Sequence, residues 1–212
     1  MISLSNYIKE FQSNSFKIVE NTDYKHSDNK TIIKIFEDIN YQNTNSYPNK
    51  KFFQRNCVES DNVFCLPIGI QDNTDNLIQK TIDKNLDKSI LCSSQYTKSY
   101  REQIPNFDFV TYFENQSIEI YLENISKSKY IISPHGLFPD CYRHWESLYL
   151  SAIPITIKHP KLDSFNDLPI LFLNSWDELS EELLINEYDR LINKSREKLD
   201  IEYWVNKVKE FI

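Results

Sequence analysis

The chain has 212 residues, with 24 basic and 31 acidic side chains and a formal net charge of -7. Hydrophobic residues make up 40% and aromatic residues 14%, which is enough to build a packed core and excludes a disordered chain. The acidic balance, without a block of Lys and Arg, disfavours nucleic acid as a partner. Glycine occurs only at Gly69 and Gly136, which excludes both the GxGxxG dinucleotide loop and the GxxxxGK phosphate loop.

The amino terminus and the cysteines both indicate a soluble, cytoplasmic protein. The opening residues, MISLSNYIKEF, lack the charged start and apolar run of a signal peptide, and no run of about 18 apolar residues follows. We therefore predict no transmembrane segment. Cys57, Cys65, Cys92 and Cys141 are scattered without a CxxC pair, which favours reduced thiols over disulfides or zinc ligation.

In chain order, short β-branched or aromatic runs alternate with longer amphipathic segments. This alternation predicts the α/β class, with a Rossmann-like parallel sheet and helices on both faces. The predicted strands are Phe16 to Glu20, Lys51 to Gln54, Val63 to Pro67, Ser89 to Ser93, Phe107 to Tyr112, Tyr130 to Ser133, Ile153 to Ile157 and Pro169 to Leu173. The predicted helices are Asn29 to Ile39, Asn73 to Lys84, Ser117 to Ser126, Asp140 to Ser151, Trp176 to Asn193 with Ser175 as its N-cap, and Arg196 to Phe211.

Polar stretches divide the chain into two predicted units. The stretch from Asn40 to Lys50 is polar and carries Pro48, so we expect a long exposed loop there. A second polar stretch, Gln71 to Asn76, follows the apolar LPIGI segment and begins the connection to the second unit. We predict a reduced amino-terminal α/β unit over residues 1–84 and a Rossmann-like domain over residues 85–212.

The segment from Tyr130 to Ile157, YIISPHGLFPDCYRHWESLYLSAIPITI, carries the most chemical information. It has the pattern of a strand, a turn, a helix and a strand, with Ser133, His135 and Gly136 in the turn. Asp140 stands where the helix N-cap belongs, so the amino terminus of the helix points at the carboxyl end of a strand. Exposed amide groups and the helix dipole favour an anion at such a turn, and Gly136 lets the backbone come close to it.

Two charged residues on this predicted helix indicate which anion binds. Arg143 and Glu146 are three residues apart, so their side chains project from the same face. A guanidinium suits a diphosphate through paired hydrogen bonds, and a carboxylate can accept from the vicinal hydroxyls of a ribose, which together describe a nucleotide-sugar site. The alternative is a solvated helix pair that contributes only roughly a few tenths of a kcal/mol. Trp145, Leu148 and Ala152 form the predicted buried stripe of the same helix.

Three strings of the sequence resemble one family. SPHGLFPDCYRHWESLYLSAIPI resembles the pattern SPxGxxxDxxRxWExLxxGxIPI of the exostosin-like glycosyltransferases. Upstream, FFQRNCVESDNVFCLPIGIQDN resembles the family's strand, loop and PIGxxN segment, and KSILCSSQYTKSYR resembles the strand that opens its donor domain. The resemblance covers about residues 50 to 190. It implies the GT-B fold and a hexosyl- or pentosyltransferase of glycan biosynthesis.

The resemblance also implies roles for individual residues of the motif. Arg143 would meet the donor diphosphate and Glu146 the ribose. The turn beside the nucleotide would consist of Ser133, His135 and Gly136. These five residues form the core of the predicted donor site.

Two further residues and two departures complete the comparison with the family pattern. Asp140 matches the motif, and we interpret it as the helix cap and turn organiser. Arg101 follows a predicted strand, where such proteins often place a second phosphate-contacting residue. Ser151 stands where relatives usually carry glycine, and the region before residue 80 is short for a complete acceptor-binding domain.

The implied reaction is the inverting transfer of a sugar from a nucleoside-diphosphate sugar to a hydroxyl of a glycan or glycoconjugate acceptor. Arg143, the turn amides and the helix dipole can stabilise the leaving diphosphate, and the sequence has no clear DxD, so we expect no metal and no cofactor. Inverting chemistry needs a general base, for which Asp23, His26 and Asp72 are candidates by position. Their structural alternatives are an Asx turn for Asp23, a solvated loop side chain for His26 and a loop cap for Asp72.

Two other functional classes stay open. A non-catalytic nucleotide-sugar or glycan-binding module would keep the donor pocket without the base, and the shortened first half favours it. A flavodoxin-like or receiver-like signalling domain would also produce the alternating pattern. The absence of an acidic pocket at the end of the first predicted strand speaks against the receiver form.

Overall fold

The computed structural model of the chain describes residues 1–3, 5–6, 9–10, 18–19, 31–34, 51–95 and 104–210, with 18–19, 31–34 and 51 described by their backbone alone. Three predicted site residues, Asp23, His26 and Arg101, lie outside the described residues, as does the predicted loop from Asn40 to Lys50. The described elements form two parallel sheets with helices packed against them.

The amino-terminal sheet has four parallel strands in the order β1-β2-β3-β4. They are β1 (Ile18–Val19), β2 (Thr31–Lys34), β3 (Lys51–Arg55) and β4 (Val63–Leu66). The prediction of a helix from Asn29 to Ile39 is wrong, because β2 pairs with β1 on one side and with β3 on the other. The run TIIK begins with three β-branched residues, whose restricted side chains favour a strand over a helix.

The carboxyl-terminal sheet has five parallel strands and confirms the predicted α/β class with a Rossmann-like sheet. The strands are β5 (Ile90–Ser94), β6 (Val110–Tyr112), β7 (Ser128–Ile132), β8 (Ile153–Ile157) and β9 (Leu171–Leu173). Their order is β6-β5-β7-β8-β9, so the chain moves to opposite sides of β5 when it forms β6 and β7. In doubly wound sheets, such a switch point leaves a crevice beyond the carboxyl ends of the two strands, where ligands bind.

Five α-helices of eight or more residues lie in the described part of the chain. They are α1 (Asp75–Asp83), α2 (Ile118–Lys127), α3 (Tyr142–Tyr149), α4 (Glu181–Ile192) and α5 (Ile201–Lys209). The predicted helix from Trp176 to Asn193 is interrupted, because Leu179 is extended between a short 3-10 turn and α4. Ser175 therefore caps no long helix, and Ser180 accepts from the Leu183 amide instead. The predicted helix from Arg196 to Phe211 is interrupted at Asp200, which has an extended backbone after a short 3-10 turn. None of the described helices is long and apolar enough to cross a membrane.

Alternating residues of β7 show how the sheet is covered on both faces. Ile131 belongs to one apolar cluster together with Leu122 of α2, and Ile132 belongs to a second cluster together with Leu184 of α4. Tyr130 faces the second cluster, and its hydroxyl donates to the Leu184 carbonyl at 2.8 Å. A parallel strand buried on both faces explains why the sequence there is apolar without a polar gap.

One apolar cluster joins the two sheets. Phe52 and Phe53 of β3 share it with Trp145 of α3 and Trp204 of α5. The division into residues 1–84 and 85–212 stays a prediction, although each sheet lies within one of these ranges. The shared cluster means that the face of α3 bearing Trp145 is fixed by both halves of the chain.

The carboxyl end of α3 is closed by a Schellman motif. The Ser151 amide donates to the Leu148 carbonyl at 3.2 Å, and the Ala152 amide donates to the Ser147 carbonyl at 2.8 Å. Ser151 has a φ of 57°, in the left-handed region that favours glycine. Glycine would adopt this conformation without the penalty of a Cβ atom.

Candidate functional site

A cleft of about 960 Å³ lies where the carboxyl ends of both sheets meet. Its walls include Arg55 at the end of β3, Gln71 beyond β4, and Gln95 immediately after β5. The remaining walls come from the segments after β6 and β7 and from the start of α3. The cleft therefore occupies the switch point at which doubly wound sheets bind ligands.

Arg143 is a buried cation in the lining of this cleft. It is only 9% exposed, yet its Nε and Nη1 atoms have no hydrogen-bond acceptor among the described residues. A buried donor without a partner costs about 1–3 kcal/mol, and more when it is charged. The position adds to this cost, because a cation near the amino terminus of a helix faces the positive end of the dipole. An anion in the cleft would relieve both.

Glu146 also lines the cleft and is 5% exposed. The Tyr121 hydroxyl donates to its Oε2 atom at 2.6 Å. Burial raises the pKa of Glu146, while the Tyr121 hydrogen bond and the Arg143 charge oppose that shift in part. Because Arg143 and Glu146 are both buried, the alternative of a solvated helix pair is wrong. The second oxygen, Oε1, can accept a hydrogen bond from a ligand in the cleft.

Asp140 does not cap α3, which corrects the prediction from its position. The capping residue is Cys141, and its side chain makes no cap hydrogen bond. Asp140 instead accepts from the Ile68 amide and from Trp145 Nε1, both at 2.7 Å, and its own amide donates to Asn56 Oδ1 at 2.9 Å. Because Ile68 and Asn56 belong to the amino-terminal half, these hydrogen bonds connect the start of α3 to that half.

Of the three predicted residues in the turn after β7, one lines the cleft and two do not. Gly136 lines the cleft, and a Cβ atom there would make an ordinary van der Waals contact with its nearest heavy atom, Cys141 Cβ, at 3.7 Å. His135 turns towards β8, where its Nε2–H donates to the Ile157 carbonyl at 3.0 Å. Ser133 is fully buried, and its carbonyl accepts from His144 Nε2 at 3.2 Å. His135 and Ser133 thus support the turn from outside the cleft lining.

Asp72 is the one predicted general base within the described residues. Its Oδ1 atom accepts from the amide and the hydroxyl of Ser5, at 3.0 and 2.8 Å. Partial burial opposes the effect of these hydrogen bonds, but on balance the pKa of Asp72 is lowered. A carboxylate with a lowered pKa is a weak base, and Asp72 is not among the residues lining the cleft. Asp72, like Asp23 and His26, stays a prediction for this role.

Most residues of the cleft lining were not among the predicted site residues, and Arg55, Gln95 and Tyr121 are three of them. Arg55 and Gln95 are both 8% exposed, and each stands at the carboxyl end of a strand. Arg55 ends β3 in one sheet, and Gln95 follows β5 in the other. A polar residue at the end of an apolar strand is the signal that would have selected both. Tyr121 could not be found this way, because its contact with Glu146 depends on how α2 packs against α3.

Comparisons with known proteins leave the chain without a family assignment. No protein-family model matches it, and no curated protein is significantly similar in sequence. Across the described residues, no group of three or more His, Cys, Asp or Glu side chains is arranged to hold a metal ion. The function proposed for the chain therefore depends on the geometry of the cleft.

Proposed function

We propose that the chain is a GT-B-type glycosyltransferase of the exostosin-like kind, which binds a nucleoside-diphosphate sugar in the cleft and transfers the sugar to a hydroxyl of a glycan acceptor. The observation that carries the proposal is Arg143, which lines the cleft and whose buried Nε and Nη1 atoms have no acceptor among the described residues. A guanidinium forms paired hydrogen bonds with phosphate oxygens, and the diphosphate supplies the missing acceptors.

The arrangement of the two sheets supports the same proposal. Residues following strands of both sheets line one cleft, as expected for an enzyme that takes its donor from one half and its acceptor from the other. The donor diphosphate would lie at the start of α3, where backbone amides without an intrahelical acceptor point outward. Arg55 extends the positive surface from the opposite wall.

Glu146 gives the site its preference for a nucleotide over inorganic diphosphate. Its Oε2 atom is held by the Tyr121 hydroxyl, which fixes the carboxyl group while Oε1 remains available. A fixed carboxylate oxygen accepts from a ribose hydroxyl at low entropic cost. We therefore infer that Arg143 binds the diphosphate and Glu146 the ribose, about one helical turn apart.

In the proposed reaction, an acceptor hydroxyl attacks the anomeric carbon from the side opposite the diphosphate. The bond between that carbon and the phosphate oxygen breaks, the nucleoside diphosphate leaves with the bonding electrons, and the acceptor proton passes to a general base. Negative charge grows on the leaving diphosphate during this step. Arg143 and the first amides of α3 are already in place to stabilise it, so their reorganisation costs little.

A nucleotide-sugar-binding protein without transferase activity is the second candidate. The position of Asp72 favours it, because this carboxylate is engaged by Ser5 and does not line the cleft. Such a protein would bind the donor through Arg143 and Glu146 in the same way, but would lack a base for the acceptor.

The test is to incubate the purified chain with a panel of UDP- and GDP-sugars, with and without glycan acceptors, and to measure released nucleoside diphosphate. If the chain is a transferase, the release of nucleoside diphosphate should increase with acceptor and should be lost in Arg143→Ala. The binding protein predicts saturable binding without release. If a folded sample neither binds nor releases any nucleoside diphosphate, both candidates are wrong.

A further inference from the structure

A second chemical group stands at the start of α3, and the proposed transferase does not use it. Cys141 is half-buried and lines the cleft, whereas Cys57, Cys65 and Cys92 are buried. All four are free thiols. Cys141 therefore differs from the other three in that it is partly exposed and lines the cleft.

The surroundings of His144 indicate that its ring carries two protons. A backbone carbonyl can only accept, so the 3.2 Å contact between His144 Nε2 and the Ser133 carbonyl places a proton on Nε2. On the other side of the ring, Nδ1 lies 3.7 Å from Asp140 Oδ1. With acceptors facing both nitrogen atoms of a fully buried ring, the imidazolium is favoured over the neutral ring.

This imidazolium acts on the neighbouring thiol. Burial alone raises the pKa of Cys141, but the charge and hydrogen bond of His144, together with the Arg143 charge, outweigh burial and the opposing Asp140 and lower the pKa to about 7. In the same pair, burial lowers the pKa of His144, whereas Cys141 and Asp140 raise it, to about 10 in balance. Ser133 Oγ, 3.7 Å from Cys141 Sγ, is a further polar neighbour.

We propose that Cys141 is a reactive thiolate and forms a mixed disulfide with anionic low-molecular-weight disulfides of the glutathione class. The second observation behind this assignment is Arg143, which lines the same cleft with buried nitrogen atoms that lack an acceptor among the described residues. A carboxylate of the incoming disulfide can bind this guanidinium while the sulfur approaches Cys141.

The reaction balances without any further reagent. The Cys141 thiolate attacks one sulfur of the disulfide, the existing S–S bond breaks, and a new bond joins Cys141 Sγ to that sulfur. The other half leaves as a thiolate and takes a proton from water. Cys141 is oxidised and the departing half is reduced. The adduct would occupy the cleft beside Arg143, so the modification would block any anionic ligand there.

The test begins with glutathione disulfide and intact-protein mass spectrometry, followed by peptide mapping. We expect one adduct, on Cys141, that is absent from Cys141→Ser and retained in the matched control Cys92→Ser. An adduct on another cysteine, or no adduct on folded protein, would overturn the proposal. Because the assay contains no nucleotide, its result is independent of whether the chain is a glycosyltransferase.

Alkylation rates then test the thiolate and the anion subsite separately. The iodoacetamide rate should be half-maximal near pH 7, against about pH 8.5 for an ordinary cysteine. Arg143→Met should slow iodoacetate relative to iodoacetamide by about five-fold or more, because only iodoacetate carries a charge. A midpoint at or above about pH 8.5 would show an ordinary thiol. An unchanged rate ratio would remove Arg143 from the subsite.

Discussion

The two ends of helix α3 use their polar groups in opposite ways. At the carboxyl end, the carbonyls of Leu148 and Leu150 accept from Arg196 Nη1 and Lys88 Nζ, at 2.5 and 2.9 Å. At the amino end, the capping residue supplies no side-chain cap, and Arg143 keeps two buried nitrogen atoms without an acceptor among the described residues. We call the carboxyl end closed, because side chains of the protein donate to its carbonyls. We call the amino end open, because nitrogen atoms of Arg143 have no acceptor there among the described residues.

This difference separates packing from binding. Cations at the carboxyl end complement the helix dipole and stabilise the fold. A buried cation near the amino end opposes the dipole and leaves donors unsatisfied, so it destabilises the empty protein. An anionic ligand would reverse both effects, which is why we assign the amino end to ligand binding. The following substitutions separate these two contributions, beginning with the largest expected effect.

Trp145→Ala should lower the free energy of unfolding by about 3–5 kcal/mol, as measured by urea denaturation. Trp145 is 1% exposed and packs edge-on against Phe165, and its Nε1 donates to Asp140. Trp145→Phe is the matched variant, since it keeps most of the volume and removes the hydrogen bond, and should lose less. A loss below about 1 kcal/mol for Trp145→Ala would mean that this residue does not anchor α3.

Arg143→Met should lower kcat/KM for the nucleotide sugar by the factor that corresponds to a loss of about 2–4 kcal/mol of transition-state stabilisation. It should leave the free energy of unfolding unchanged or increase it, because an apolar side chain replaces a buried cation with unsatisfied donors. The matched control is Arg190→Met on α4, where the arginine is exposed and paired with Glu187. Lower stability together with unchanged turnover would contradict the assignment of Arg143 to the ligand.

Glu146→Gln should weaken nucleotide binding by about 1 kcal/mol, because the neutral amide still accepts from Tyr121 but forms a weaker hydrogen bond with ribose. A 2′,3′-dideoxy nucleotide should bind both proteins equally. The exposed Glu182→Gln is the control. If the Glu146 carboxylate does not bind the ribose, Glu146→Gln will change the affinities for the ribonucleotide and for the dideoxynucleotide by the same factor.

The same variant tests the pKa of Glu146 through stability. Because burial raises this pKa above its ordinary value of 4.5, proton binding stabilises the folded state. That stabilisation is complete below the ordinary value and is lost as pH rises through the folded value. Glu146→Gln should therefore be more stable than the parent at pH 7, and the advantage should disappear near pH 4. A pH-independent difference between the two proteins would contradict the shift.

Ser151→Gly should produce the smallest effect, a gain of about 0.5–1 kcal/mol in the free energy of unfolding. Ser151 has a φ of 57°, and glycine adopts this conformation without a Cβ penalty. Nucleotide binding should not change, because the substitution lies at the closed end of α3. A loss of stability would show that the contacts of the Ser151 side chain stabilise the fold by more than its left-handed backbone conformation destabilises it.

The sequence predicted the parts of this fold that depend on local pattern. Ile153 to Ile157 is a mainly apolar run with the same bounds in the structure, and Trp145 and Leu148 are buried on α3 as helical spacing predicts. Ala152 is also buried, but it lies beyond the end of the helix. β2 was missed because its four residues, TIIK, sit within a segment of helical spacing. Its partners on both sides are distant in sequence, so only the paired sheet decides the outcome.

The sequence predicted two charged residues of the cleft, Arg143 and Glu146, but not their burial. The spacing of Arg143 and Glu146 placed both on one face of α3, and the structure places both in the cleft. Spacing could not predict their burial, because burial depends on packing between the two halves. For the same reason Asp140 looked like a helix cap, while its partners Ile68 and Asn56 lie far away in the sequence.

Calorimetric titration with UDP and GDP tests the central claim most directly, namely that the open end of α3 binds a nucleoside diphosphate. The account predicts saturable binding of at least one diphosphate by the parent and by Arg190→Met. It also predicts weaker binding of the matching monophosphate, and a loss in Arg143→Met of roughly 30-fold or more, which corresponds to about 2 kcal/mol. Absence of binding by folded parent protein, or equal binding by Arg143→Met, would contradict it.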